Sequence, residues 1–334
     1  MSDLAAYPPQ PVYKDRSTGL ILIGILEIGL ALLCLLLLAF MAMATLSLAT
    51  APPGQAAGMN SRSMLGAGVV YLLAGTFFAV LGVGTLRGRR WARTIGLVTG
   101  WMWLISGVFS VLMLAFLLPR IMASISAAAG PSSSGVGACA TGCVTLLMVL
   151  VYLVMPGILV LFYRGPNVKA TFEAKDSSVP WTDRVPAPVL ALTLLLAFGA
   201  ASTLLGLFYR AYPLFGTFLT GVPAVLAFLA TGAVSAALAW GVYQRKPAAW
   251  WACVVLFLLG CVNGGLLLFG KGGVRGMYEA MGMPAAQVEQ AEKMGLLEIY
   301  SHPAVQALMT AVWLGILGFM IWVRRFFAGA SEKV

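Results

Sequence analysis

Glu27 is the one acidic residue inside an apolar run of this chain. It stands about eight residues into the first run, Leu20–Leu48, or ~12 Å along a helix. Ionisable groups in a bilayer are costly and face a cavity or a partner. Two readings fit Glu27. It contacts an ion, a proton or a substrate, or it pairs structurally with Arg87, Arg93 or Arg164, which belong at the same membrane boundary. Asn263 is the second isolated polar residue, roughly midway along a later run and followed by Gly264-Gly265. It suits either a substrate contact in a central cavity or an interhelical hydrogen bond. No His-Glu-x-x-His, Gly-x-Ser-x-Gly, Walker loop or paired intramembrane carboxylates occur, and Gly82-Val83-Gly84 lacks the context of a dinucleotide site. The chain has 1 His, which rules against a His-based metal site. The expectation is therefore no catalytic, cofactor or metal residues, and no enzyme.

The elements that must carry these residues follow from composition. The chain of 334 residues is 60% hydrophobic and 10% charged. Soluble domains carry about 25% charged residues, and a globular core cannot absorb this much apolar surface. The predicted class is all-α and polytopic, with eight transmembrane helices. They fall near 20–48, 65–86, 94–118, 139–163, 186–208, 222–242, 250–269 and 304–323. Pro156 should kink the fourth, and Ser301 should cap the eighth, with Pro303 in its first turn. The domain reading is a mobile tail (1–19), a four-helix block (20–163), a hydrophilic linker (164–185), a second block (186–325) and a tail (326–334). Of the five cysteines, Cys139 and Cys143 stand i, i+4 near the start of a run, where a bridge is sterically conceivable.

Charge gives the expected topology. Eight helices put alternate loops on alternate sides, and one side then holds 15 of the 21 Lys and Arg. The other holds Arg62, Arg120, Arg210, Lys271, Arg275 and Lys293. Cationic loops stay cytoplasmic during insertion, so both termini are expected there. The net charge of +10 is read as topology signal and head-group contact, not nucleic-acid binding. Its main carriers are Arg87, Arg89, Arg90, Arg93, Arg245, Lys246, Arg324 and Arg325.

The two blocks share marks. Trp91-Ala92 recurs as Trp251-Ala252, 160 residues on, with Gly100/Gly260, Phe109/Phe269 and Arg164/Arg324 at the same offset. Gly82-Val83/Gly241-Val242 and Asp15-Arg16/Asp183-Arg184 fall near it. These predict tandem blocks in a parallel repeat about the membrane normal. Gly96/Gly100 and Gly260/Gly264 are Gly-x-x-x-Gly pairs suited to close helix packing, as are Gly66 and Gly68. The first loop, Gly-x-Gly then Leu-Arg-Gly-Arg-Arg-Trp-Ala-Arg, resembles the cytoplasmic hairpin loop of uncharacterised small bacterial inner-membrane proteins. That resemblance covers some 40 residues and implies a bacterial inner membrane but no activity. The second copy departs from it, with Cys253 where Arg93 would stand and Pro247 inside the basic cluster.

The loop 271–303 is patterned. Val274, Met277, Tyr278 and Met281 fall at i, i+3, i+4, i+7, the spacing of one helix face. Pro284 opens a second segment with Val288, Ala291 and Met294 on one side, a Glu289–Lys293 pair on the other, and Gly295 at its end. This predicts an outer-surface helical hairpin over the mouth between the seventh and eighth helices. It packs on the bundle or head groups, or it offers a Met-rich surface to a lipid or a protein partner. The leading functional expectation is a non-catalytic accessory or interaction component. The alternative is a small-molecule or lipid transporter built on the repeat.

Overall fold

The computed structural model describes residues 13–49, 61–129, 134–270 and 273–328. The predicted spans are there as helices long and apolar enough to cross a membrane. In order they are α1 (Ser17–Ala49), α2 (Ser61–Leu86), α3 (Arg90–Ala129), α4 (Ser134–Val149) continuing into α5 (Met155–Tyr163), α7 (Ala187–Tyr209), α8 (Val222–Tyr243), α9 (Pro247–Phe269) and α12 (Pro303–Val323). A short helix α6 (Pro166–Lys175) joins the blocks. Helices α10 (Gly273–Ala280) and α11 (Ala285–Lys293) form the patterned loop, and α13 (Arg325–Ala328) closes the described chain. The protein is a multi-pass, all-α membrane protein.

Pro156 has no N–H to give to residue 152. The chain answers with a π-helical turn at Leu150–Val154, just before the proline. The widened turn brings the Tyr152 carbonyl against Gly107 of α3, where any Cβ would overlap it. Gly107 is thus the only residue type that fits this crossing.

Sequence periodicity did not show one feature, a β-hairpin between α7 and α8. Strands β1 (Ala211–Leu214) and β2 (Thr217–Thr220) pair antiparallel. Phe215 (φ 44°) and Gly216 (φ 87°) make its two-residue turn, the left-handed geometry that matches strand twist.

The tightest helix pairs are α1 with α2 and α7 with α8. Gly24 and Gly82 face one another across the first pair, each carbonyl about 3 Å from where a Cβ on the other would stand. Gly96 and Gly100 pack on Tyr163 and Val160, as their spacing predicts. Gly260 does not: no described atom lies within 4 Å of its Cβ position, and Gly264 meets only Trp313. Gly66 and Gly68 make ordinary contacts with Phe208 and Leu38.

Among the described residues three apolar cores hold the helices. One joins α1, α5 and α6 through Leu20, Ile23, Tyr163 and Phe172. A second joins α7, α9, α12 and α13 through Leu190, Trp250, Met320 and Phe327. Both lie at the face that carries the basic loops. The third lies at the opposite face, where Met113 of α3 meets Ile299 and Val305. This last core ties the first block to the second. The 3-10 turn Ile299–Ser301 ending the patterned loop therefore reaches α3 as well as the α9–α12 mouth. Elsewhere along the spans most large apolar side chains point outward, as expected where lipid replaces water and the hydrophobic effect no longer drives helices together.

Several expectations are corrected here. His302, not Ser301, caps α12: its Nδ1 accepts from the Ala304 N–H at 3.3 Å. The linker is not hydrophilic throughout, since Val168, Thr171 and Phe172 of α6 are buried. The C-terminal tail starts later than residue 326, because Phe327 belongs to the second core. Cys143 is a free thiol. Residues 1–12, Ser133, Lys271, and the side chains of Arg62, Arg120 and Cys139 lie outside the described residues.

Candidate functional site

The sequence places five basic or acidic segments at one face, and the structure brings them into contact. The Lys14 and Arg16 N–H groups donate to Asn167 and Thr171 of α6. Asp15 caps α1 by accepting from the Ser17 N–H and hydroxyl, and these bonds hold its carboxyl below the ordinary range. The Tyr243 hydroxyl donates to the Trp181 carbonyl at 3.0 Å. Basic loop, linker and second-block turn thus form one surface.

Asp176, at the end of α6, is the knot. It accepts from the Ser178 hydroxyl at 2.6 Å and from the Arg90 N–H at 3.3 Å, with Arg89 at 3.9 Å. Those contacts, the Ser178 hydroxyl foremost, hold its carboxyl below the usual carboxylate range, and burial opposes them.

Beside it opens a cleft of about 330 Å³, within the size of small-ligand sites. Three elements build it, one from the first block and two from the linker. The start of α3 gives Arg90, Arg93 and Thr94, α6 gives Lys169, Phe172 and Glu173, and the segment before α7 gives Thr182, Asp183 and Val185. Arg90 Nη2 lies 3.2 Å from Asp183 and 3.7 Å from Glu173. Lys169 lies 3.8 Å from Glu173, and Thr94 donates to Asp183 at 3.1 Å. Arg93 differs. Among the described residues no carboxylate reaches ion-pair distance of it, and its Nε is buried without a hydrogen-bond partner, as is that of Arg90. Three cations therefore face two carboxylates.

Directly beneath the cleft, Phe172 packs on Tyr163 with ring centroids 6.3 Å apart. Tyr163 donates its hydroxyl to Glu27 Oε1 at 2.7 Å and lies 2.7 Å from the Thr85 hydroxyl. Glu27, Thr85 and Tyr163 are each fully enclosed. This corrects the expected pairing: the partner of Glu27 is a phenol on α5, not Arg87, Arg93 or Arg164. Among the described residues Glu27 Oε2 has no hydrogen-bond partner.

Asn263 is accounted for by the β-hairpin. Its Oδ1 accepts from the Phe215 N–H at 2.6 Å, and its Nδ2 donates to the Pro213 carbonyl at 3.0 Å. It clamps the turn from below and is not aimed at a central cavity. No periodicity could have revealed this, since the partner is backbone some 50 residues away.

The other basic residues divide. Arg324 lies over Trp250 and Trp251, 5.5 and 5.2 Å from the ring centroids, and Arg325 lies 4.2 Å over Trp322. Arg87 and Lys246 are exposed, and Arg245 is half-buried. In the outer hairpin Val274 and Val288 are buried, while Met277, Tyr278 and Met281 are half-buried. Phe218 of β2 comes against Gly276. Among the described residues the ion pairs there are Arg275 with Glu279 and Glu292, in place of the expected Glu289–Lys293 pair.

The turns after α2 and α8 have the same build. Gly88 and Arg245 both adopt left-handed backbone, at φ 63° and 56°. Arg89 N–H bonds the Gly84 carbonyl, and Lys246 N–H bonds the Gly241 carbonyl. Gly84 then faces Ala92, and Gly241 faces Ala249. This matches Gly84 to Gly241 and Ala92 to Ala249, so the Trp91-Ala92/Trp251-Ala252 identity is out of geometric step by three residues. In this register Val242 stands where Thr85 does, and Met320 stands where Tyr163 does. The polar cluster belongs to the first block alone.

Fold and site together define a multi-pass helical membrane protein with a charged cleft at one face. No protein-family model matches the chain, and neither a curated protein nor a solved structure matches it.

Proposed function

We propose that this is a non-catalytic accessory component of a bacterial inner membrane, and that the charged cleft is where it engages its counterpart. The observation that carries this is the cleft's construction: α3 of the first block and α6 of the linker supply charged walls, and the segment from Thr182 to Ala187 closes it where the linker enters the second block. A ligand there touches the first block and the entry to the second at once, so binding and block arrangement are coupled. The basic loops favour placing this face, and both termini, in the cytoplasm. The matched turns after α2 and α8 support a tandem duplication related by an axis along the membrane normal. Half-exposed Met277, Tyr278 and Met281 offer a lesser surface for a lipid or a protein at the other face.

The alternative is a small-molecule or lipid transporter on the same repeat. The enclosed Glu27, with one oxygen unpartnered, favours it. Asn263 gives it no support, because its amide is used on the β-hairpin.

The test uses full-length tagged protein taken from its own membrane in mild detergent. A companion held at fixed stoichiometry should be lost from Glu173→Lys while that variant stays monodisperse. Equal retention by the variant contradicts the cleft as the working site. Counterflow of a solute by the protein alone in vesicles, abolished by Glu27→Gln, would move the function to the alternative.

A further inference from the structure

We infer that the cleft holds the phosphodiester head group of an anionic phospholipid, with Arg93 as its main ligand. The inference rests on the cleft being the working site and names what fills it.

Charge balance is the first argument. Arg90 and Lys169 already face Asp183 and Glu173. Arg93 is the cation left over, and its guanidinium is partly buried with Nε unsatisfied. A buried donor without an acceptor is destabilising, and a charged one more so. One negative charge completes the set. A phosphodiester carries one, whereas a phosphate monoester carries nearly two at neutral pH. Guanidinium groups also match phosphate oxygens in a two-pronged geometry.

Position is the second. The apolar spans start at Arg90 on α3 and Ala187 on α7. The cleft sits between those two starts, at the level where head groups lie. Phe172 and Val185 are the apolar part of its lining, and the apolar spans of α3 and α7 run from beside it into the membrane. A molecule with a phosphodiester in the cleft and acyl chains along those spans fits that order of surfaces. A free phosphate ion would use only the cleft.

The test uses purified full-length protein in a neutral detergent. Three probes are titrated: short-chain phosphatidylglycerol, short-chain diacylglycerol and inorganic phosphate. The readout is thermal stability, which rises with a ligand bound only to the folded state. Phosphatidylglycerol should raise Tm in the wild type and diacylglycerol should not. Inorganic phosphate should act only at far higher concentration. Arg93→Gln should weaken the lipid response about tenfold or more, the effect of one charged hydrogen bond. Arg93→Lys should restore part of it, and Lys14→Gln, exposed at the same face but outside the cleft, should leave it unchanged. If Arg93→Gln does not fold, Lys169→Gln carries the test, since Lys169 is exposed and its loss removes a cleft cation. The inference is overturned if the cleft variants respond like wild type, if Lys14→Gln loses as much as Arg93→Gln, or if inorganic phosphate matches the lipid. An unchanged lipid response in Arg93→Gln, with companion binding still lost in Glu173→Lys, sinks the lipid and spares the cleft. Failure of both sinks both.

Discussion

Glu27 was legible as a residue that needed a partner, because a lone carboxylate in an apolar run cannot be left bare. The partner was not legible. Tyr163 is 136 positions away, and nothing in a Tyr at the end of an apolar run marks it as an acceptor's mate. Asn263 shows the same limit. Its polarity was visible, but its β-hairpin was hidden in ten residues with no alternating pattern. The enclosed trio gives a prediction. Tyr163→Phe removes one oxygen and leaves both Glu27 and Thr85 short of a partner. Unfolding stability in detergent should fall by about 1–3 kcal/mol. A cycle with Glu27→Gln should show strong non-additivity, since the two side chains share one bond. Simple addition of the two effects would mean that the hydroxyl does not bond Glu27.

Among elements, helix number came through well because length and hydropathy decide it, while α3 runs on to Ala129, past its expected end at 118. What failed was the character of α6. Its charged residues masked an apolar stripe of Val168, Thr171 and Phe172 that anchors it beneath the cleft. Two of those stripe positions are one turn apart in a segment too short for periodicity to stand out. The tie between α6 and the basic loop runs through Asp176, and this fixes its pH dependence. Its folded carboxyl titrates below the ordinary range, so its contribution is present above the unfolded value of about 4 and is lost as pH falls through the folded one. A nitroxide on Ser177→Cys should therefore stay constrained from neutral pH down to about 4 and gain mobility only below it. Asp176→Asn should free the label at every pH. Release near pH 6 in the parent protein would show that another group holds the linker.

For the whole molecule, charge asymmetry and the eight spans were readable, whereas the correspondence of the turns after α2 and α8 was not. Identities such as Trp91-Ala92 and Trp251-Ala252 arise easily in apolar helices. Backbone capping at Gly88 and Arg245 is the firmer guide, and Arg at a left-handed position hid it from sequence, where glycine is the usual mark. The account depends most on which side the assembled basic face occupies. If it is cytoplasmic, the linker and the cleft meet cytoplasmic partners and the inner leaflet. The direct measurement is labelling of intact cells with a membrane-impermeant maleimide, in a background with the native cysteines replaced. Ser177, in the linker, and Gln290, in α11, are both exposed and lie at opposite faces. The account predicts labelling of Gln290→Cys in intact cells, and of Ser177→Cys only after the membrane is opened. Labelling of Ser177→Cys from outside, with Gln290→Cys protected, would contradict it.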